Sequence, residues 1–352
     1  MVWIKVKTSG GFLTIRLYLK AVKPQSSPSR TIVSMVLLGG ILAASTASIF
    51  IRFAQAEGVP SLAIATARLG IASLVLAPLA IVRHRPELRA LRRRDLLLGL
   101  LSGSFLAVHF AAWITSLQYT SVASSVVLVT TTPLWVALLS PLVLKEKITV
   151  RILTGMLLAL TGGTVVALSD SCSLQAGRLA CPPMNTFLTG DAFLGDLLAL
   201  LGAWMAAGYI LVGRKLRARM TLVPYIFLVY TAAALILLLM LFASGGGLAG
   251  YPPMAYLWFA LLALVPQLLG HTSFNWALGH VPASFVSVIL LGEPIGSTIL
   301  AVLLLEEVPG WIKIAGGVLI LAGIYLAASM DERKAVKNSG EPDQAPIEKR
   351  EA

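Results

Sequence analysis

The sequence predicts an all-α polytopic membrane protein: ten transmembrane helices, arranged as two inverted five-helix repeats. Three observations carry that expectation. Of 352 residues, 57% are hydrophobic and 12% charged, with a mean hydropathy of +0.85, well above the ~45–50% apolar content usual in soluble domains. A hydrocarbon core of ~30 Å needs ~20 mostly apolar helical residues to cross it, and ten runs of that kind are bounded by charge, Gly or Pro. Finally, the chain slid by 161 residues aligns with itself without a gap, 117–168 onto 278–329. Backbone amides in lipid must bond internally, so the runs are helices; they are continuous rather than alternating, which excludes a barrel.

The elements follow in order. Residues 1–31 form a basic segment without an apolar core of signal-peptide length, so a cleaved leader is not expected and Met35 is an alternative start. The first five spans are 32–54, 61–82, 96–118, 121–143 and 149–168, together one repeat, 32–168. The fourth holds Pro133 and runs into Glu146; the fifth carries Gly155 and Gly162, seven apart and so on one face, as small residues are where membrane helices pack closely. The loop 169–192 is the longest on the outer side and contains Cys172 and Cys181. Their spacing leaves open a local disulfide or two free thiols, and with no His nearby no metal site is expected. Spans six to ten are 193–213, 222–243, 256–278, 283–305 and 310–329, the second repeat. The tail 330–352 is polar and punctuated by Pro and Gly, a composition that stays disordered.

Basic residues orient the chain. With the N-terminus inside, 24 of the 28 Lys and Arg fall in cytoplasmic segments, leaving Arg52, Arg68, Arg178 and Lys313. This positive-inside pattern places both termini in the cytoplasm. It also explains the net charge of +12 without nucleic acid as a partner; the partners expected are lipid and a small molecule, with a homodimer left open.

The self-alignment pairs Pro133 with Pro294, Glu146 with Glu307, Gly155 with Gly316 and Gly162 with Gly323. Five is odd, so the two halves enter the membrane from opposite sides. Inverted repeats are typical of secondary transporters, whose site lies near the midplane where the halves meet.

Charged or polar groups at membrane depth are costly and usually face a cavity or a partner. They are Arg68 in the second span, His109 in the third, Gln267, His271 and Asn275 in the eighth and Glu293 in the ninth. At ~1.5 Å per residue, Glu293 lies roughly 15 Å and His271 roughly 11 Å from the cytoplasmic side, with Arg68 and His109 about 20 Å from it. Gln267, His271 and Asn275 recur at i, i+4 and i+8, a polar stripe that lines a cavity or bonds another helix. Trp113 is a candidate aromatic wall beside them, as are Trp204 and Trp276. Glu293 and His271 are candidate proton carriers. Glu146 and Glu307, at span ends, read as gate or cap residues, and Pro133 and Pro294 as kinks that free carbonyls.

Taken together, TTPLWVALLSPLVLKEKI (131–148), LGEPIGSTILAVLLLEEV (291–308), GDLLALLGAWMAAGYILVGRKL at the sixth span and GHTSFNWAL at the eighth resemble the EamA-type transporters of the drug/metabolite transporter superfamily. The resemblance covers about residues 32–329. It implies secondary transport, often export, of small metabolites such as amino acids or of drugs, with both termini cytoplasmic. An uncoupled facilitator of the same architecture is the alternative. An intramembrane enzyme is not expected, because neither paired Asp residues nor an HExxH helix is present. No cofactor is expected.

Overall fold

The computed structural model describes residues 2–8, 11–17, 30–144, 150–171, 173–175, 178–180, 186, 188–217, 219–277, 280, 290 and 292–328. Cys172, Cys181, Glu146 and the tail after 328 lie outside the described residues. Apart from two short hairpins, the described elements are helical, as the composition requires. Among the described residues seven helical stretches, the first of them Thr31–Ala56, are long and apolar enough to cross a membrane. Leu153–Val166, Gly292–Leu305 and Trp311–Leu326 are shorter apolar helices.

The N-terminal segment contains a hairpin of β1 (Val2–Thr8) and β2 (Gly11–Leu17). Its register pairs Val2 with Leu17, Ile4 with Ile15 and Val6 with Leu13, the period-two apolar pattern of a strand. A second hairpin, β3 (Ser173–Gln175) and β4 (Arg178–Ala180), sits in the long loop.

The helices of the first half are α1 (Arg30–Ser45), α2 (Ala47–Ala56), α3 (Ser61–Arg83), α4 (Arg85–Arg89), α5 (Arg93–Ser116), α6 (Val122–Val129), α7 (Thr132–Leu144) and α8 (Val150–Ser171). Those of the second are α9 (Asp191–Arg217), α10 (Leu222–Ala243), α11 (Pro253–Leu262), a π-helical stretch (Ala263–His271), α12 (Thr272–Ala277), α13 (Gly292–Leu305) and α14 (Trp311–Ala328).

Three expected single spans are interrupted among the described residues, the first of them at Thr46, between α1 and α2. The run 121–143 divides at Thr130 and Thr131, and Pro133 opens the second piece, where a missing N–H costs nothing because the first turn has no acceptor for it. Pro294 stands likewise in the first turn of α13. In the eighth span Pro266 lies inside the π-helical stretch, where the lost amide accompanies a widened turn.

Helices pair across the two halves: α8 with α14, α3 with α10, α5 with α9, α6 with α13, and α1 with the π-helical stretch and α12. The α8–α14 contact runs through the glycines that the sequence singled out. A methyl at Gly162 would meet the Gly316 carbonyl oxygen at 2.6 Å, and one at Gly323 the Gly155 carbonyl oxygen at 2.5 Å, so only Gly permits this backbone approach. The largest apolar core lies among α2, α3, α5, α10 and α11, with smaller ones around α8–α14 and between α1 and α12.

Candidate functional site

A cavity of about 140 Å³ opens where α5, the α6–α7 break, α9, the eighth span and the start of α13 converge. Both halves contribute to it. His109, Trp113 and Thr132 line it from the first half, and His271, Asn275 and Glu293 from the second.

Local structure explains each placement. Glu293 lies in the first turn of α13, where the helix dipole favours a negative charge. That helix start is docked on α1: the Ser45 hydroxyl donates to the Glu293 carbonyl at 3.3 Å, and the Ser297 hydroxyl to the Ser45 carbonyl at 3.1 Å. Thr132, one repeat earlier, stands at the start of α7 and donates through its hydroxyl to the Val129 carbonyl at 2.8 Å. Two helix N-termini therefore open on one cavity, one bearing a carboxylate and the other a hydroxyl.

The imidazole of His109 is buried and stacks on Trp113 with ring centroids 6.0 Å apart. Its Nδ1 is 2.8 Å from the Gly202 carbonyl oxygen. A carbonyl only accepts, so Nδ1 carries the proton, and in the neutral ring Nε2 is left as an acceptor. His271 meets Phe110 and Phe274 edge-on at 5.7 and 6.0 Å. Asn275 donates to the His271 carbonyl at 2.9 Å and accepts at Oδ1 from the Tyr209 hydroxyl at 3.0 Å.

Arg68 and Gln267 do not line the cavity; they pair behind it. Both are fully buried, and the Arg68 Nε–H donates to Gln267 Oε1 at 2.8 Å. The eighth-span stripe is thus divided, with His271 and Asn275 on the cavity and Gln267 on Arg68. Sequence reasoning missed Tyr209. The available signal was a hydroxyl within the apolar run of the sixth span, which bonds Asn275 Oδ1 at 3.0 Å.

Glu307 is far from the cavity, between α13 and α14. One carboxylate oxygen pairs with Arg52 Nη2 and the other accepts from the Val122 amide at 2.9 Å, capping α6. Arg52 Nη1 donates to the Leu117 carbonyl at 2.7 Å, and Lys313 donates to the Ser121 hydroxyl at 2.8 Å. This cluster joins the two halves at one end of the bundle. Among the described residues no group of His, Cys, Asp and Glu has the geometry of a metal site.

Apolar helices of membrane-spanning length around an internal, mainly apolar cavity with a few polar groups define a polytopic membrane protein. The sequence profile of the EamA-like transporter family matches residues 31–168 and 193–329, and the chain belongs to that family. It is a membrane transporter. It is 24% identical over 238 residues to an uncharacterized transporter of Archaeoglobus fulgidus, a match covering 66% of this chain and 75% of that protein. A crystal structure described only as that of a protein shares the fold, with a TM-score of 0.57 at 21% identity, over 87% of this chain and 99% of that one.

Proposed function

We propose that the chain is a secondary transporter that exports a small metabolite, an amino acid or a drug-like compound, across the cytoplasmic membrane by alternating access. Ten spans in two inverted repeats, 32–168 and 193–329, rock about a pseudo-two-fold axis, with both termini in the cytoplasm. Glu293 and His271 carry the coupling proton. The observation that carries this reading is the cavity itself, lined from both repeats and flanked by the N-termini of two helices at equivalent positions, Thr132 and Glu293. Discontinuous helices meeting at mid-depth are how transporters of this build hold a solute.

The packing supports the same reading. Exchanging the first span for the sixth, the second for the seventh, and so on, preserves the most extensive pairings: α8–α14, α3–α10 and α6–α13 map onto themselves, while α5–α9 maps onto the pairing of α1 with the eighth span.

Alternating access is tested with Thr132→Cys in a background carrying Cys172→Ser and Cys181→Ser, labelled in proteoliposomes by a membrane-impermeant maleimide. Reaction from either side, with the proportion shifted between sides by a reversed pH gradient, is the expected result. Simultaneous access from both sides under every condition marks an uncoupled facilitator.

A further inference from the structure

We infer that Arg68 is the recognition group for an anionic moiety of the transported solute, a carboxylate on a compact apolar body, and that Phe110 screens it from the empty cavity. This rests on the transport reading above and narrows its substrate.

Arg68 is the largest wholly buried side chain, yet only its Nε has a hydrogen-bond partner. Neither Nη1 nor Nη2 meets an acceptor among the described residues, and the buried Nε1 of Trp113 has none either. Every orphaned group here is a donor. Gln267 takes Nε and also sits beside the Tyr230 hydroxyl. Glu293 is near enough to interact electrostatically with Arg68, but no ion pair joins the two. Buried polar groups normally find partners, so unused donors on a guanidinium mark a place for a ligand acceptor. The planar fork of an Arg matches a carboxylate with two parallel N–H···O bonds.

The position of the guanidinium relative to the cavity says how a ligand reaches it. Its carbon lies 4.2 Å from the Phe110 ring centroid and 5.9 Å from that of Trp113. Phe110 abuts His271, and Trp113 itself lines the cavity. One aromatic layer therefore stands between the charge and the empty space. The Phe110 face partly compensates the cation while no ligand is bound. The cavity, at about 140 Å³, is close to the ~150 Å³ void that admits benzene in an engineered protein core. An apolar group of about ring size fits between Trp113 and Phe274, and its acidic group displaces Phe110 to reach Arg68.

The test compares 3-phenylpropionate with its neutral isostere 3-phenylpropionamide, bound to the purified full-length protein in detergent and followed by calorimetry. The acid is expected to bind wild type at least about tenfold tighter than the amide, which corresponds to one bidentate charged contact being worth ~1.4 kcal/mol or more. Arg68→Gln equalises the two, and Arg68→Lys keeps part of the preference. If Arg68→Gln does not fold, Trp113→Phe, which removes one orphaned donor and keeps a ring, lowers affinity for the acid more than for the amide, because a bond to an ionised acceptor is the stronger. Equal binding of the two probes, no binding of either, or a preference that survives Arg68→Gln overturns the inference. Counterflow of a solute without acid preference removes this inference and leaves transport standing; acid preference in binding with no flux of any solute does the reverse.

Discussion

At the scale of single residues, Arg68 is the largest side chain that the fold buries completely, and it carries a charge. An unpaired buried ion is destabilising, and replacing one with an apolar side chain of similar volume is often neutral or stabilising by ~1–4 kcal/mol. Arg68→Met is therefore expected to keep or raise the melting temperature in detergent while abolishing acid binding; a large drop in melting temperature would mean that Arg68 holds the fold together. Glu293→Gln keeps the shape of the α13 start, because the Ser45 and Ser297 contacts there go through backbone carbonyls and a neighbouring hydroxyl. It is expected to abolish proton-driven flux and to spare solute binding. Undiminished proton-driven flux in that variant would exclude Glu293 as the coupling group. Glu293 was legible in the sequence because a carboxylate inside a long apolar run has few readings. Tyr209 was not, because a tyrosine ring disappears into apolar composition and only its partner Asn275 reveals the hydroxyl's use. The place of Arg68 behind Phe110 was not legible either, since counting residues along a helix gives depth but not direction around the axis.

Elements show where local chemistry overrides a regular helix. Both prolines of the repeat were readable as sites of distortion, and the helix in fact restarts at Pro133, with Thr130 and Thr131 left between its halves. The polar stripe of the eighth span was read with an α-helical period. The π-helical stretch around Pro266 changes the angular step, and Gln267 points to Arg68 while His271 and Asn275 serve the cavity. The α8–α14 pair was legible because glycines seven apart announce a close approach. It gives a position-specific prediction. A methyl at Gly162 lands 2.6 Å from backbone, whereas one at Gly163 comes no nearer than 3.5 Å to a leucine methyl. Gly162→Ala is expected to destabilise the protein by about 1–3 kcal/mol through overpacking, and Gly163→Ala to be nearly neutral, as read from thermal melts of the two variants side by side. Equal melting temperatures would show that the helices slide apart without penalty.

For the whole molecule, the family profile matches the chain twice, over 31–168 and 193–329, the same division that the self-alignment marks in the sequence. What no one-dimensional pattern supplied is the partner of Glu307. Arg52 lies 255 positions away, and only the packed bundle brings the two together with the α6 N-terminus. In the proposed cycle this cluster holds the outer side closed while the cavity faces inward. Glu307→Gln keeps the hydrogen-bonding shape but removes the ionic attraction, and is expected to speed labelling of Thr132→Cys from the outside severalfold; an unchanged rate would make Glu307 a helix cap alone. The central claim, that the cavity between the repeats carries a solute across the membrane, is tested most directly by counterflow in proteoliposomes of the purified full chain, screened with amino acids and drug-like compounds under inward and outward pH gradients. The account predicts accumulation of at least one compound, dependent on the pH gradient in wild type and independent of it in Glu293→Gln. No movement of any compound under either gradient would contradict it.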